Sequence, residues 1–412
     1  MTRATARLRP VGAMGLAVLT AAVTVLAGCS STVTGTAAPE SGFKPGDAVP
    51  ALLKPGNYPT KPHAPYDKAG EAGLIVEGQR MADFVVGPWE VDPALIHTEQ
   101  GTTLVWKDTT ALANNLFGTV RGDIAAAHNF IVGFSSRRSS NPPGQIKTVL
   151  NAVLRFPTPA DATAAAAELG APTPPPTGIG QTPEVPFPVP DHPETTAVTY
   201  STGDGTASVD SFTPHGPYVF YVAGRAQGGD VTTAASLVTK LLDLQGPRID
   251  GFTPTPPEKF GDLPLDPGGL AARTLPPAKT DRQTVYQGVW GPYASLHYST
   301  NPVESAALNA SAGVVRWVYL KSMVWEAKDA DGAQKFLQGL LKEDPDDSSK
   351  PAGGVPGLPS AKCFSSVRED DPTQPSYACY YAVDRFVVNV ASRQNVDVQQ
   401  QAAAQYLILT AK

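Results

Sequence analysis

Tyr218-Val219-Phe220-Tyr221-Val222-Ala223-Gly224-Arg225, the turn Gln227-Gly228-Gly229, and then Asp230 leading into Val231 to Leu242 decide the fold. The first eight residues are β-branched or aromatic apart from Ala, Gly and Arg, and read as a buried strand. Asp230 is placed to cap a helix whose apolar residues recur at helical spacing. The same order returns near the C-terminus. Arg385-Phe386-Val387-Val388-Asn389-Val390-Ala391-Ser392 reads as a strand, Gln394-Asn395 as a turn, Asp397 as the cap, and Val398 to Leu409 as the helix. Aligning Asp230 with Asp397 also superposes Gln227 on Gln394.

Working outward, Thr148–Phe156 reads as a strand followed by an Ala-rich helix over Asp161–Leu169. Val314–Ala327 reads as a strand followed by a helix over Ala330–Leu341. Each half then offers a hairpin, turning at Gly203-Asp204-Gly205 in the first and at Asp370 to Pro375 in the second. The fold class expected is α+β: two tandem related β-α-β-β-β-α units, each an antiparallel sheet with helices packed on one face. Between them, Pro and Gly crowd the stretch from Gly246 to Pro277. The domain reading is therefore a first unit over 73–245, a Pro/Gly-rich linker over 246–279 and a second unit over 280–412.

The N-terminus carries the strongest motif. Arg3, Arg7 and Arg9 precede an apolar run from Ala13 to Leu26, and Leu26-Ala27-Gly28-Cys29 follows. About 14 apolar residues suit a signal-peptide core and fall short of the roughly 20 needed to span a bilayer. The pattern resembles a bacterial lipobox. It predicts a signal peptide over 1–28, cleavage between Gly28 and Cys29, and lipidation of Cys29. Removing residues 1–28 would take three arginines from the 32 basic side chains and leave 29 against 38 acidic. An acidic body is repelled by anionic headgroups, so lipid chains on Cys29 would supply the membrane affinity. Residues 29–72, rich in Pro, Gly, Ser, Thr and Ala, read as a lipidated Cys and flexible tether.

Of three cysteines, Cys363 and Cys379 remain once Cys29 is assigned to lipid. They flank the Asp370 to Pro375 turn in facing strand-like runs, and they lack the C-x-x-C spacing of a redox or metal pair. A disulfide is the reading for an exported chain.

The lipobox, Leu53-Lys54-Pro55-Gly56-Asn57-Tyr58-Pro59-Thr60, Glu77-Gly78-Gln79-Arg80-Met81-Ala82-Asp83 and Ala294-Ser295-Leu296-His297-Tyr298 together resemble a family of mycobacterial and nocardial lipoproteins of uncharacterised function. The resemblance covers nearly the whole mature chain and implies location and architecture, with no active site to carry over. Each unit also resembles the extracellular sensor domains of mycobacterial receptor kinases, with the departure that the first unit has no disulfide.

Chemistry is sparse in the pattern. The 412 residues contain His63, His97, His128, His192, His215 and His297, none in an H-E-x-x-H arrangement, and all six read as surface residues. No G-x-S-x-G elbow, phosphate-binding loop or dinucleotide fingerprint occurs; Gly178-Ile179-Gly180 lacks a third glycine. Of the acidic runs Glu343-Asp344-Pro345-Asp346-Asp347 and Glu369-Asp370-Asp371, the first lacks the glycine and closing glutamate of a calcium loop, and both read as solvated helix-end and turn acids. No cofactor or metal is expected. A net charge of −6 argues against a nucleic-acid partner. Trp317 and Trp325, eight apart in one expected strand, read as core, whereas Trp89 and Trp290, each beside a Gly-Pro, are candidates for surface recognition. The function expected is a membrane-anchored, non-catalytic envelope lipoprotein that binds a ligand or partner (protein, lipid or glycan) or acts as a scaffold. The alternatives are a solute-binding lipoprotein of a transporter, which would want two lobes joined by a twice-crossed hinge, and an envelope hydrolase without a recognisable motif.

Overall fold

Along the run 149–156, Val149 and Val153 fall in one buried cluster, while Leu150, Ala152, Leu154 and Phe156 fall in another. A strand sends successive side chains to opposite faces, so this strand is buried on both sides. The computed structural model describes residues 47–98, 101–141, 145–175, 180–278, 284–343, 349–367 and 374–411. Its N-terminal half consists of α1 (Gly73–Ala82), β1 (His97–Thr98), β2 (Leu104–Trp106), α2 (Thr109–Leu112), α3 (Gly118–Ala127), β3 (Val132–Ser139), β4 (Lys147–Arg155), α4 (Pro159–Leu169), β5 (Val185–Pro186), β6 (Thr196–Ser201), β7 (Ala207–His215), β8 (Tyr218–Ala226) and α5 (Val231–Ile249). The C-terminal half consists of β9 (Gly288–Trp290), α6 (Pro302–Ala312), β10 (Val314–Tyr319), β11 (Met323–Ala327), α7 (Ala330–Glu343), β12 (Lys350–Pro351), β13 (Lys362–Val367), β14 (Pro375–Val383), β15 (Phe386–Ser392) and α8 (Asn395–Thr410).

Both sheets are antiparallel and share one topology. The first runs β1-β3-β4-β8-β7-β6-β5, with β2 also on β3, and the second runs β12-β13-β14-β15-β11-β10-β9. Read from opposite ends, β3-β4-β8-β7-β6 matches β10-β11-β15-β14-β13, with α4 matching α7 and α5 matching α8. The class is α+β in two tandem units, as the sequence implies. The helices, however, cover both faces of each sheet. α1 and α5 pack on the face carrying Val149 and Val153, and α3 and α4 on the face carrying Leu150 and Leu154. α8 covers Cys379, Tyr381 and Val388, while α6 and α7 cover Val387. Strands apolar on both faces require this, because either face left bare would expose a continuous apolar surface.

Local chemistry sets the helix ends. Asp230 caps α5 by accepting from Thr233 N at 2.9 Å, and Thr158 caps α4 by accepting from Asp161 N at 3.1 Å, with Pro159 opening the helix. Gly313 ends α6 in the left-handed region at φ 66°, which a side chain there would strain. A Cβ on Gly224 would lie 2.4 Å from Ala234 O, so only glycine lets α5 lie this close to β8.

Four expectations change. Helix α8 begins at Asn395, so Asp397 lies inside the first turn and does not cap it; its carboxylate accepts from Ser392 Oγ at 2.6 Å and Gln401 Nε2 at 2.8 Å. The single strand over Val314–Ala327 is a hairpin, closed where Leu320 N meets Ser322 O at 2.9 Å. Trp317 and Trp325 thus share a face as direct cross-strand partners. The expected linker starts late, since α5 continues through Gly246-Pro247 to Ile249. Phe252, Phe260, Leu270 and Leu275 beyond it are buried. The tether, finally, is packed from Asp47 onward: Leu53 enters the second core, Val49 N bonds Gly357 O at 2.7 Å, and Tyr58 OH donates to Asp397 Oδ1 at 2.7 Å.

The chain therefore crosses between the halves twice, first from the 47–66 segment to α1 and again after α5. One buried cluster spans the junction, joining Met81, Phe134 and Val153 to Trp290 and Trp317. Gly46–Lys412 is consequently one compact unit.

The cysteines pair as expected, Cys363 opposite Cys379 on β13 and β14, 4.1 Å apart at Cα and bonded. With 16 residues of separation, replacing both by alanine should lower unfolding free energy by about 3 kcal/mol. Denaturant unfolding checks this: reductant should lower the native midpoint by the same amount and leave the double variant unchanged. The turn joining these strands lies outside the described residues.

Candidate functional site

Neither tryptophan proposed for surface recognition is on the surface. Trp89 is 5% exposed and Trp290 1%. Trp89 is covered by the Arg138 guanidinium, 5.7 Å from its ring centroid, and lies 5.2 Å from the His297 ring. Trp290 packs 4.9 Å from Tyr298 and 6.2 Å from Phe134. The reason is the junction. Arg138 of β3 reaches the second unit and donates to His297 O at 2.8 Å and Leu296 O at 3.2 Å, and it also donates to Ile96 O. Burial pulls its guanidinium down to about 10, which leaves it charged at neutral pH. His297, expected at the surface, is fully buried and bonds Ala82 O through Nε2 at 3.1 Å. Burial above all, with Arg138 and Arg248 nearby, lowers its pKa to about 3, so the ring is neutral and Nε2 is the donor. Asp83 completes the junction by accepting from Ala294 N at 2.8 Å.

The expected lipidation and cleavage residues, Gly28 and Cys29, and the runs Asp344–Asp347 and Glu369–Asp371 lie outside the described residues. Among the described residues, no three His, Cys, Asp or Glu side chains come together as metal ligands, and no helix is long and apolar enough to cross a membrane.

What sequence reading missed is a cavity in the C-terminal half. On the α6–α7 face of the second sheet, Trp317 pairs with Trp325, and Met323 pairs with Asn389. Phe336 and Leu340 of α7 close over them, and Ser299 and Asn309 stand at the side. The space, open to solvent on one side, is about 170 Å³, and no lining residue is acidic or basic. Three of the lining residues hold a buried polar atom with no hydrogen-bond partner: Asn389 Nδ2, Trp317 Nε1 and Tyr298 Oη. Asn389 and Trp317 are each 4% exposed. Burial raises the Tyr298 hydroxyl well above its ordinary value, so it stays protonated and can donate.

A bare buried donor costs about 1–3 kcal/mol. Three of them approach the roughly 5–15 kcal/mol by which a whole protein is stable. The signal was present in sequence as Asn389, an amide inside the apolar run Phe386–Val390, where asparagine is a poor strand former.

Two other spaces differ in kind. In the N-terminal half, a pocket of about 610 Å³ lies beneath the Ala113–Phe117 π-turn. There Arg121 grips Glu184 through two bonds of 3.1 and 2.8 Å, and Asp210 accepts from Tyr221 at 3.1 Å. These charges are already paired or bonded, as buried charges must be. A third space of about 450 Å³, beside α1, is lined largely by apolar groups such as Ile75, Val76 and Leu320.

Among solved structures, the chain is similar to the extracellular domain of PknH from Mycobacterium tuberculosis. The identity is 15%, covering 40% of this chain and 96% of that one, with a TM-score of 0.29. No curated protein matches. Residues 64–265 match the N-terminal part, and 270–412 the C-terminal part, of a two-part domain of unknown function, DUF7373. With both parts present in order and each built around one of the two sheets, this chain belongs to the DUF7373 family.

Proposed function

We propose that the protein is a membrane-anchored, non-catalytic lipoprotein of the cell envelope that binds a small ligand in the C-terminal cavity. The observation that carries the binding reading is the uncharged space of about 170 Å³ lined by Trp317, Trp325 and Phe336 in the C-terminal half. Nothing lining that cavity is an acid or base able to move a proton at neutral pH, which favours binding over turnover. The anchor and location rest on Arg3 to Cys29, with the Cys29 thiol taking the lipid before cleavage from Gly28. The Cys363–Cys379 disulfide suits an oxidising compartment.

The two chain crossings favour a second reading, a solute-binding lipoprotein of a transporter, since such proteins close two lobes about a hinge. The core shared by Met81, Phe134, Trp290 and Trp317 opposes it, because opening the lobes would tear a buried cluster.

Two measurements test the proposal. Globomycin should block processing at Gly28–Cys29, and the mature protein should carry an acyl mass increment; unchanged mobility with no increment removes the anchor. Native mass spectrometry of the full protein extracted from its own membranes should show a bound small molecule, and a clean unliganded mass removes the binding reading.

A further inference from the structure

We propose that the first unit carries a site of its own, which takes a phosphate group on the guanidinium of Arg225. It is separate from the uncharged space at Trp317 and stands or falls independently of it.

Strand pairing assembles the site. Arg225 of β8 lies directly across from Thr148 of β4, and Arg137 of β3 lies across from Leu150, two residues further along β4. Direct cross-strand partners project from the same face, so these four side chains share the α3–α4 face of the first sheet. Leu150 enters the core beneath the helices. Beyond it a space of about 480 Å³, open to solvent, is bordered by Arg137, Thr148, Arg225, Gln227 and the turn over 202–206.

Donors at this space are unused. Arg225 Nη2 donates to Tyr200 Oη at 3.5 Å, the outer limit of a hydrogen bond, and among the described residues no carboxylate oxygen lies within 4 Å of the guanidinium. Its Nε is sealed from solvent and takes no part, whereas Nη1 makes no hydrogen bond and is not sealed. The carboxylate of Asp210, on the same face, is filled instead by Ser208 Oγ at 2.9 Å and Tyr221 Oη at 3.1 Å. Gln227 is held one way round, because its Oε1 accepts from Ile146 N at 3.2 Å, which leaves Nε2 to donate. Among the described residues the Thr148 hydroxyl has no partner. One acid borders the space. It is Asp204, whose carboxylate turns into its own loop and accepts from Thr202 Oγ1 at 2.6 Å and Thr206 N at 3.0 Å.

The paired Nη groups of an arginine match two oxygens of a carboxylate or a phosphate. A carboxylate on that fork has no third oxygen for Gln227 and Thr148. A phosphate group carries three acceptor oxygens in a tetrahedral arrangement and serves donors from several sides. The duplication supplies a comparison within the chain. At the position aligned with Arg225 the second unit has Ser392, whose hydroxyl is committed to Asp397 at 2.6 Å, so one site per chain is expected.

The test is calorimetric titration of the full-length protein in detergent with inorganic phosphate, glycerol 3-phosphate and acetate. We expect one phosphate group per chain, bound more tightly than acetate and more weakly as salt rises. Affinity should fall at least tenfold in Arg225→Gln, which removes a charge-assisted hydrogen bond. It should fall as far in Gln227→Glu, which keeps the acceptor for Ile146 N and puts a negative charge where a donor stood. It should rise in Asp204→Asn, which keeps the loop's acceptor and removes the negative charge, a gain that misfolding does not imitate. Tighter binding of glycerol 3-phosphate assigns the site to a phosphate ester, and tighter binding of inorganic phosphate assigns it to the free ion. No heat with either phosphate at millimolar concentration overturns the proposal, as does acetate bound equally well. Affinity unchanged in both Gln227→Glu and Asp204→Asn also overturns it, and these two variants decide alone if Arg225→Gln does not fold. None of these results bears on the C-terminal cavity, which native mass spectrometry tests separately.

Discussion

Replacing Glu77 by glutamine should lower the unfolding free energy by about 3–5 kcal/mol, the range found when one partner of a buried ion pair is removed. Glu77 is fully buried on α1. Its Oε1 pairs with Arg155 Nη1 of β4 at 3.0 Å and accepts from Thr255 N at 2.7 Å, while Oε2 pairs with Arg80 one turn along. Arg155 in turn donates to Thr255 O at 2.7 Å. One carboxylate thus ties together the first helix, the centre of the first sheet and the segment returning to the second unit. Glutamine keeps the volume, so no cavity is created and the loss is electrostatic. It leaves Arg155, largely buried, without its counter-charge. Equilibrium unfolding in urea checks this: a loss below about 1 kcal/mol would mean that the network is solvated and does not organise the junction.

The second large effect is a loss of stability in acid that traces to His297. Its folded pKa is about 3 against an ordinary value of 6.5. Between those values the unfolded chain holds a proton that the folded chain refuses, so stability falls as pH falls. The contribution is complete above pH 6.5 and is lost progressively down to about pH 3. At 1.36 kcal/mol per pKa unit, the total is about 5 kcal/mol for this fully buried ring. Carboxylates titrate in the same window, so the informative quantity is a difference. Stability of the native protein minus that of His297→Gln should fall by about 1.4 kcal/mol per pH unit between pH 6 and 4. A flat difference would mean that the imidazole accepts a proton within the folded state. Because the slope is the readout, a general destabilisation by the variant does not obscure it.

The strands and the duplication were legible because they rest on local periodicity. Tyr218–Ala226 and Phe386–Ser392 carry their burial in their own residue types, and the two cysteines flank a turn that brings them opposite. What was hidden depends on residues far apart in sequence. Gly87-Pro88 beside Trp89 reads as an exposed loop until Arg138 and His297 arrive over the indole. The hairpin between β10 and β11 turns at Lys321-Ser322 with no glycine or proline to announce it, so it passed for one strand. The segment from Asp47 to Ala72 has the composition of a tether, yet Leu53 and Tyr58 find partners contributed by the last helix and sheet of the chain. The candidate site was hidden for the same reason: Asn389, Trp317 and Tyr298 are separated in sequence and meet only when both α7 and the second sheet are in place.

The electron density inside the cavity bounded by Asn389, Trp317 and Tyr298 is the most direct measurement, taken from crystals of protein extracted from its own membranes. Continuous density for a bound small molecule against Trp317, Trp325 and Phe336 is the result predicted. Separate water peaks alone, or side chains collapsed into the space, would contradict it.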